Sequence, residues 1–287
     1  MKYLIVKGGP CGFGDRMECL KMAVNYALKF NLQIYVDWED PIWSHSGENF
    51  YTYFKLVNMP VLRSIDDIPD NATVFPAFWK DKLKLPYIKD YSKSNPEIEL
   101  SYLIDQVWSQ DVIVYSSENK RTLYKDSAFF GNVFRVVDKR IINKVKERQQ
   151  RCQLSKQIGV HLRGTDRANN IDKSYRMSEL NIRLVNSGII RGAKCIAVSD
   201  DPDFISIWKS RYSSFPVLTE VGALGGSGGV HTKSKDSLSI SKDSLNVDML
   251  VDFFTLASCS QVISTMRDSR FAREAQKLHP HITRILG

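Results

Sequence analysis

Along this chain, short apolar runs alternate with longer stretches in which apolar residues recur at helical spacing. Residues 3–6 read Y-L-I-V, a short strand, and run into a loop that carries Gly8, Gly9, Gly12 and Gly14. Behind the loop, Leu20, Ala23, Val24, Ala27 and Leu28 form a helical stripe that predicts a buried face. The run L-Q-I-Y-V-D-W at 32–38 predicts a second strand, and 113–115 a further one that closes the first sheet. Over 136–154, Lys139, Arg140, Lys144, Lys146, Arg148 and Arg151 sit on an amphipathic helix whose charges predict a solvated face. Ile158, Val160 and Leu162 then alternate with small or polar residues and predict a strand that stops at Gly164. The series continues with a helix over 178–186, a buried strand over 195–198, a helix opening near Pro202 and a strand over 215–218. A buried helix over 247–256, a short strand over 261–264 and a helix from Ser269 onward complete it.

Two such strand, loop and helix series predict an α/β protein of two Rossmann-like domains facing a cleft. At 287 residues and 43% hydrophobic composition, the chain can fill two cores. The boundary is expected near 151–157, giving domains 1–152 and 153–287, with the last helix able to pack back on the first. Aromatics are dense between 39 and 95, including Trp43, Phe50, Phe54 and Trp79. Aromatic faces suit sugars, but packing loops over a sheet is their commoner use. The glycine-rich and Ser/Lys-rich stretch from 222 to 241 predicts a mobile loop.

Composition narrows the class. The net charge of +8 favours nucleotide phosphates or other polyanions, while the lack of arginine-rich runs interleaved with aromatics argues against nucleic acid. Cys11, Cys19, Cys152, Cys195 and Cys259 are scattered, odd in number and without a C-x-x-C pair. That pattern predicts reduced thiols and neither a disulfide framework nor a zinc site. With no apolar run of transmembrane length and no signal-peptide pattern, the expectation is a cytoplasmic protein without a transmembrane segment.

The candidate chemistry gathers at strand ends. At the end of the strand that stops at Gly164 lie Arg163, Thr165, Asp166 and Arg167, placed where open α/β sheets bind ligands. Two guanidiniums there could fork onto a phosphate with Asp166 orienting one, or Arg163 and Asp166 could simply pair across a turn. The first glycine loop leads into a helix, the arrangement that offers backbone N–H groups to an anion, although an ordinary βα turn reads the same way. Asp37 ends its strand and would bind a hydroxyl or cap the loop. Asp200 and Asp201 could hold a metal, cap the next helix, or accept from guanine N–H groups and ribose hydroxyls. Thr265, Ser269 and Arg270 sit in a polar cluster at a helix start.

H-L-R-G-T-D-R at 161–167 resembles the H-x-R-x-T-D motif of the α-1,6 (core and nodulation-type) fucosyltransferases, and the related H-x-R-x-x-D of the α-1,2 and protein-O-fucosyl enzymes. Three further blocks resemble the family in order: the glycine loop, S-D-D-P at 199–202, and the D-x-x-x-L stretch leading to the serine-rich helix start. The resemblance implies a GT-B fold and a metal-independent, inverting transferase using GDP-fucose as donor, with no cofactor and a glycan acceptor. It implies donor contacts from Gly12, Phe13, Gly14, His161, Arg163, Asp200, Asp201, Thr265, Ser269 and Arg270. Arg163, Asp166, Arg167 and Asp172 would be catalytic. The chain departs from the pattern twice. Gly164 stands where the core-type enzymes carry a second arginine, for which Arg167 would partly substitute. Ile171 stands at the position of their acidic base, so Asp172 is the first candidate base, with Asp15, Asp37 and Glu220 as rivals. Other readings are a rhamnosyl or similar transferase, or a protein that binds a nucleotide sugar without turnover.

Overall fold

A computed structural model describes residues 2–9, 11–87, 107–116, 129–164, 172–188, 192–219 and 240–287. The chain forms two compact units, Met1–Val137 with Thr283–Gly287, and Asp138–Ile282.

In the first unit the chain runs β1 (Tyr3–Lys7), α1 (Phe13–Phe30), β2 (Gln33–Asp37), α2 (Phe50–Tyr53), β3 (Phe54–Leu56), β4 (Val74–Phe75), β5 (Val112–Ser116), α3 (Phe130–Val133) and β6 (Phe134–Val136). The main sheet is parallel, in the order β2-β1-β5-β4, and β3 pairs antiparallel with β6. All of β1 is buried, as expected of a central parallel strand covered on both faces. Tyr3 and Ile5 join a core with Leu62, Trp79, Val112 and Val114. Helix α1 buries Leu20, Ala23, Val24 and Ala27 completely, but Leu28, expected in the same stripe, is 37% exposed. The helix ends at Asn31, whose φ of 52° is the left-handed conformation that asparagine tolerates at a helix end.

The second unit runs α4 (Lys139–Cys152), β7 (Gln157–Leu162), α5 (Lys173–Asn186), β8 (Lys194–Ser199), α6 (Pro202–Arg211), α7 (Lys242–Ala257), β9 (Gln261–Ser264) and α8 (Arg270–Leu278). Then α9 (Ile282–Leu286) carries the chain into the terminal residues that belong to the first unit, where Arg284 bonds the Asn132 side chain. The sheet is parallel in the order β8-β7-β9, so the chain order reverses at β7. Ile158, Val160, Leu162, Leu180, Trp208 and Ile263 lie in its main core. No helix among the described residues is long and apolar enough to cross a membrane.

Three local expectations change. The division falls at Val137, ahead of α4 rather than after it, and α4 packs on α7 within the second unit. Its charge is not all solvated. Arg148 is fully buried and donates to Asp252 at 3.0 Å, to Thr255 at 2.8 Å and to the Leu218 carbonyl. The strand expected at 215–218 shrinks to one parallel bridge between Ala197 and Val217, next to Pro216, which lacks a ladder donor. Helix α7 starts at Lys242 because the Ser241 hydroxyl caps it by accepting the Ser244 N–H at 3.1 Å. The loop expected from 222 to 241 lies almost wholly outside the described residues.

Candidate functional site

Where strand order reverses in a parallel sheet, the chain segments leaving the two neighbouring strands diverge and open a crevice at their carboxyl ends. In the second unit that point lies between β7 and β9. The ladder continues one residue past β9, with the Thr265 N–H donating to the His161 carbonyl at 3.0 Å. The Thr265 hydroxyl then accepts the Arg163 N–H at 2.9 Å and donates to the Arg163 carbonyl at 3.2 Å. One buried hydroxyl thus sets the backbone from which the Arg163 side chain departs. His161 is buried, its Nδ1 3.2 Å from the Ser269 Oγ and its ring 4.9 Å from that of Phe271. Ser269 is the N-cap of α8, where its hydroxyl accepts the Ala272 N–H at 3.4 Å, and Arg270 is the first helical residue. His161, Arg163, Thr265 and Ser269 therefore converge beside a helix N-terminus, a setting that favours an anion.

The adjacent carboxylates of Asp200 and Asp201 serve different ends. Asp201 is buried, caps α6 by accepting the Asp203 and Phe204 N–H groups at 2.9 and 3.1 Å, and pairs with Lys173 at 2.8 Å. Burial pulls the Lys173 ammonium down, but its bonds to Asp201 and Asp203 outweigh that and raise its pKa. Asp201 thus serves as the cap of α6 and the partner of Lys173. Asp200 instead accepts the Gly164 N–H at 2.9 Å and stands beside the β7 end. Gly164 also explains the missing second arginine. A Cβ there would lie 2.1 Å from Asp201 Oδ2, so no side chain fits while Asp201 caps α6.

No family model matches the sequence, and no curated protein matches it. Among solved structures, NodZ α-1,6-fucosyltransferase soaked with GDP-fucose aligns with a TM-score of 0.65 at 17% identity, over 98% of this chain and 94% of that one. Fucosyltransferase NodZ from Bradyrhizobium aligns at 0.63 and 17% identity, over 96% and 92% of the two chains. A variant of Arabidopsis thaliana FUT1 in complex with GDP aligns at 0.54 and 14% identity, over 97% of this chain and 68% of that one. The chain has the GT-B fold of these fucosyltransferases. Within that GT-B fold, the second unit carries the convergent strand-end residues described above.

In the first unit the glycine loop is braced from inside. Arg16, 1% exposed, forks onto Asp40 at 2.8 and 2.7 Å and donates to the Gly9 and Cys11 carbonyls at 3.0 and 3.4 Å. Its guanidinium also lies 5.5 Å from the rings of Trp38 and Trp43. Burial lowers the Arg16 pKa, but the charge and hydrogen bonds of Asp40 prevail and hold it above its ordinary value. A Cβ on Gly8 would meet Asp40 Oδ2 at 1.8 Å, whereas one on Gly12 would meet nothing within 4 Å. Gly14 is buried inside α1. Phe13 is 5% exposed and stacks at 5.9 and 6.0 Å on Trp43 and Phe54. The Phe13 ring is therefore part of the core. Asp37 pairs with the buried Lys7 and accepts the Glu39 N–H at 3.2 Å, so it braces the loop after β2. Burial lowers the Lys7 pKa against the opposing pull of Asp37.

Asp166, Arg167 and Glu220 lie outside the described residues. Asp172 is exposed and caps α5, its Oδ1 accepting the Ser174 and Tyr175 N–H groups at 2.8 and 3.2 Å. No group of three or more His, Cys, Asp or Glu side chains among the described residues could hold a metal ion. The sequence reading overlooked Arg16, Asp40, Lys7 and Lys173. Their partners lie 24 to 30 residues away, and no local spacing signals them.

Proposed function

We propose that this chain is an inverting glycosyltransferase that moves L-fucose from GDP-fucose to a glycan hydroxyl. The observation that carries this reading is the convergence of His161, Arg163, Thr265 and Ser269 at the switch point of the second sheet. It is supported by the shared GT-B fold with a fucosyltransferase whose crystals were soaked with GDP-fucose. In this reading the acceptor oxygen attacks the anomeric carbon on the face opposite GDP. The bond from that carbon to the β-phosphate oxygen breaks, and negative charge grows on the leaving diphosphate. Arg163, the Ser269 hydroxyl and the N–H groups at the start of α8 meet that charge in place of a divalent cation. Asp200 receives the guanine or ribose of the donor. Asp166 and Arg167 steady the same phosphates, and a carboxylate, Asp172 first, takes the acceptor proton.

The test is titration calorimetry with GDP, GDP-fucose, UDP and dTDP, together with donor-dependent product formation. GDP species should bind without added metal, and Arg163→Ala should lower the turnover rate by about 10²–10³-fold with little change in melting temperature. Binding of UDP or dTDP in preference to GDP would redirect the reading to another nucleotide sugar. Binding of GDP-fucose without turnover on any glycan offered would favour a nucleotide-sugar-binding protein. Failure to bind any nucleotide would overturn the proposal.

A further inference from the structure

The outer edge of β9 carries a second polar feature that the donor reading does not use. A groove of about 500 Å³ runs along this edge between α5 and α8, a size typical of small-molecule sites. Arg183, Arg267, Arg273 and Lys277 line it, and no carboxylate stands among its described lining residues. It shares Ser269 with the donor site, but none of His161, Arg163, Thr265 or Asp200.

Arg183 is the unusual member. It is half-buried on α5, and its Nε and Nη2 are shielded from water with no hydrogen-bond partner among the described residues. Nearby Glu179 does not serve it, because its two oxygens face Arg176 at 3.1 Å and Arg267 at 3.9 Å. On the other wall, the buried Glu274 faces Lys277 at 2.9 Å and Arg273 at 3.8 Å. Burial first, then the charge of Arg267, lowers the Arg183 pKa, consistent with a cation short of counter-charge. A guanidinium edge buried without acceptors leaves the charge poorly compensated, and an oxyanion held in the groove beside Arg183 offsets that through its own charge.

We propose that the β9-edge groove is an anion site beside the donor site, sharing only Ser269 with it, built to receive the phosphate group of a small ligand on Arg183 and Arg267. It stands independently of the fucosyltransferase reading. The test uses the full chain and its Arg163→Ala variant, titrated calorimetrically with inorganic phosphate, inorganic pyrophosphate and glucose 1-phosphate. Pyrophosphate should still bind Arg163→Ala protein, and Arg183→Gln added in that background should weaken the remaining binding by about tenfold or more. Arg267→Glu, on a side chain 75% exposed, should weaken it comparably without lowering the melting temperature, and carries the test if Arg183→Gln does not fold. A preference for glucose 1-phosphate over inorganic phosphate would identify a sugar phosphate as ligand, and equal binding would identify the bare anion; both support the site. No binding, binding lost in Arg163→Ala alone, or binding indifferent to both groove variants would overturn it.

Discussion

The two units each present a parallel sheet with polar residues at its strand ends, yet they treat those residues in opposite ways. In the first, Lys7 with Asp37 and Arg16 with Asp40 are buried in ion pairs, and Arg16 also holds the carbonyls of the glycine loop. In the second, Asp201 past β8 pairs with Lys173, but the ends of β7 and β9 are joined by neutral hydroxyl contacts, Thr265 to the Arg163 backbone and Ser269 to His161. Removing one member of a buried ion pair strands the other charge, whereas removing a hydroxyl forfeits one modest hydrogen bond. Mutations in the first unit's strand-end ion pairs should therefore register in stability, and those at the β7 and β9 ends mainly in ligand binding.

The sharpest attempt to break that contrast is Arg16→Ala. It leaves Asp40 buried without its cation and should cost about 3–5 kcal/mol in denaturant unfolding; a loss below about 1 kcal/mol would show that water or neighbouring groups replace the pair.

Within the same loop, the glycines should divide. Gly8→Ala drives a Cβ into Asp40 and should destabilise by about 1–3 kcal/mol. Gly12→Ala, which meets open space, should stay within about 0.5 kcal/mol of the parent. Equal costs at the two positions would contradict the bracing geometry.

In the second unit, Ser269→Ala removes the α8 cap and should cost only about 1 kcal/mol of stability. Its larger signature should be weaker GDP binding, measured on protein shown to be folded. A stability loss as large as that of Arg16→Ala would erase the contrast between the units.

The smallest effect concerns the thiols. Burial pushes Cys195 up to about 11 and Cys259 up to about 12, so neither forms appreciable thiolate at neutral pH. Cys11 and Cys19 are also buried, and Cys152 is the more accessible thiol. Iodoacetamide at pH 8 should label Cys152 first, followed by mass spectrometry. Early labelling of Cys259 would reveal opening of the α7–β9 region.

Much of the fold was legible in the sequence because strands and helices write their burial into local periodicity. Ile158, Val160 and Leu162 marked β7, and Leu20, Ala23, Val24 and Ala27 marked the inner face of α1, each within a few residues of the observed bounds. The candidate site was partly legible in the same way. His161, Arg163, Thr265 and Ser269 stood out as polar residues where apolar runs stop, and the fold brings them together. Asp201, directly before Pro202, stands at the N-cap position, but the sequence did not show what Asp200 meets. Only tertiary contacts bring Lys173 to Asp201 and set Asp200 against the Gly164 N–H.

Local pattern determined the main strands β1, β2, β5, β7, β8 and β9, the longer helices between them, and which polar residues end them. The tertiary structure alone decided which charges are buried together. Arg16 meets Asp40 across 24 residues and Arg148 meets Asp252 across 104. The same packing turned Phe13 into core and Gly164 into a position without room for a side chain. Periodicity reports how one element faces a core, whereas an ion pair or a steric limit depends on which other element is stacked there, and no local pattern encodes that neighbour.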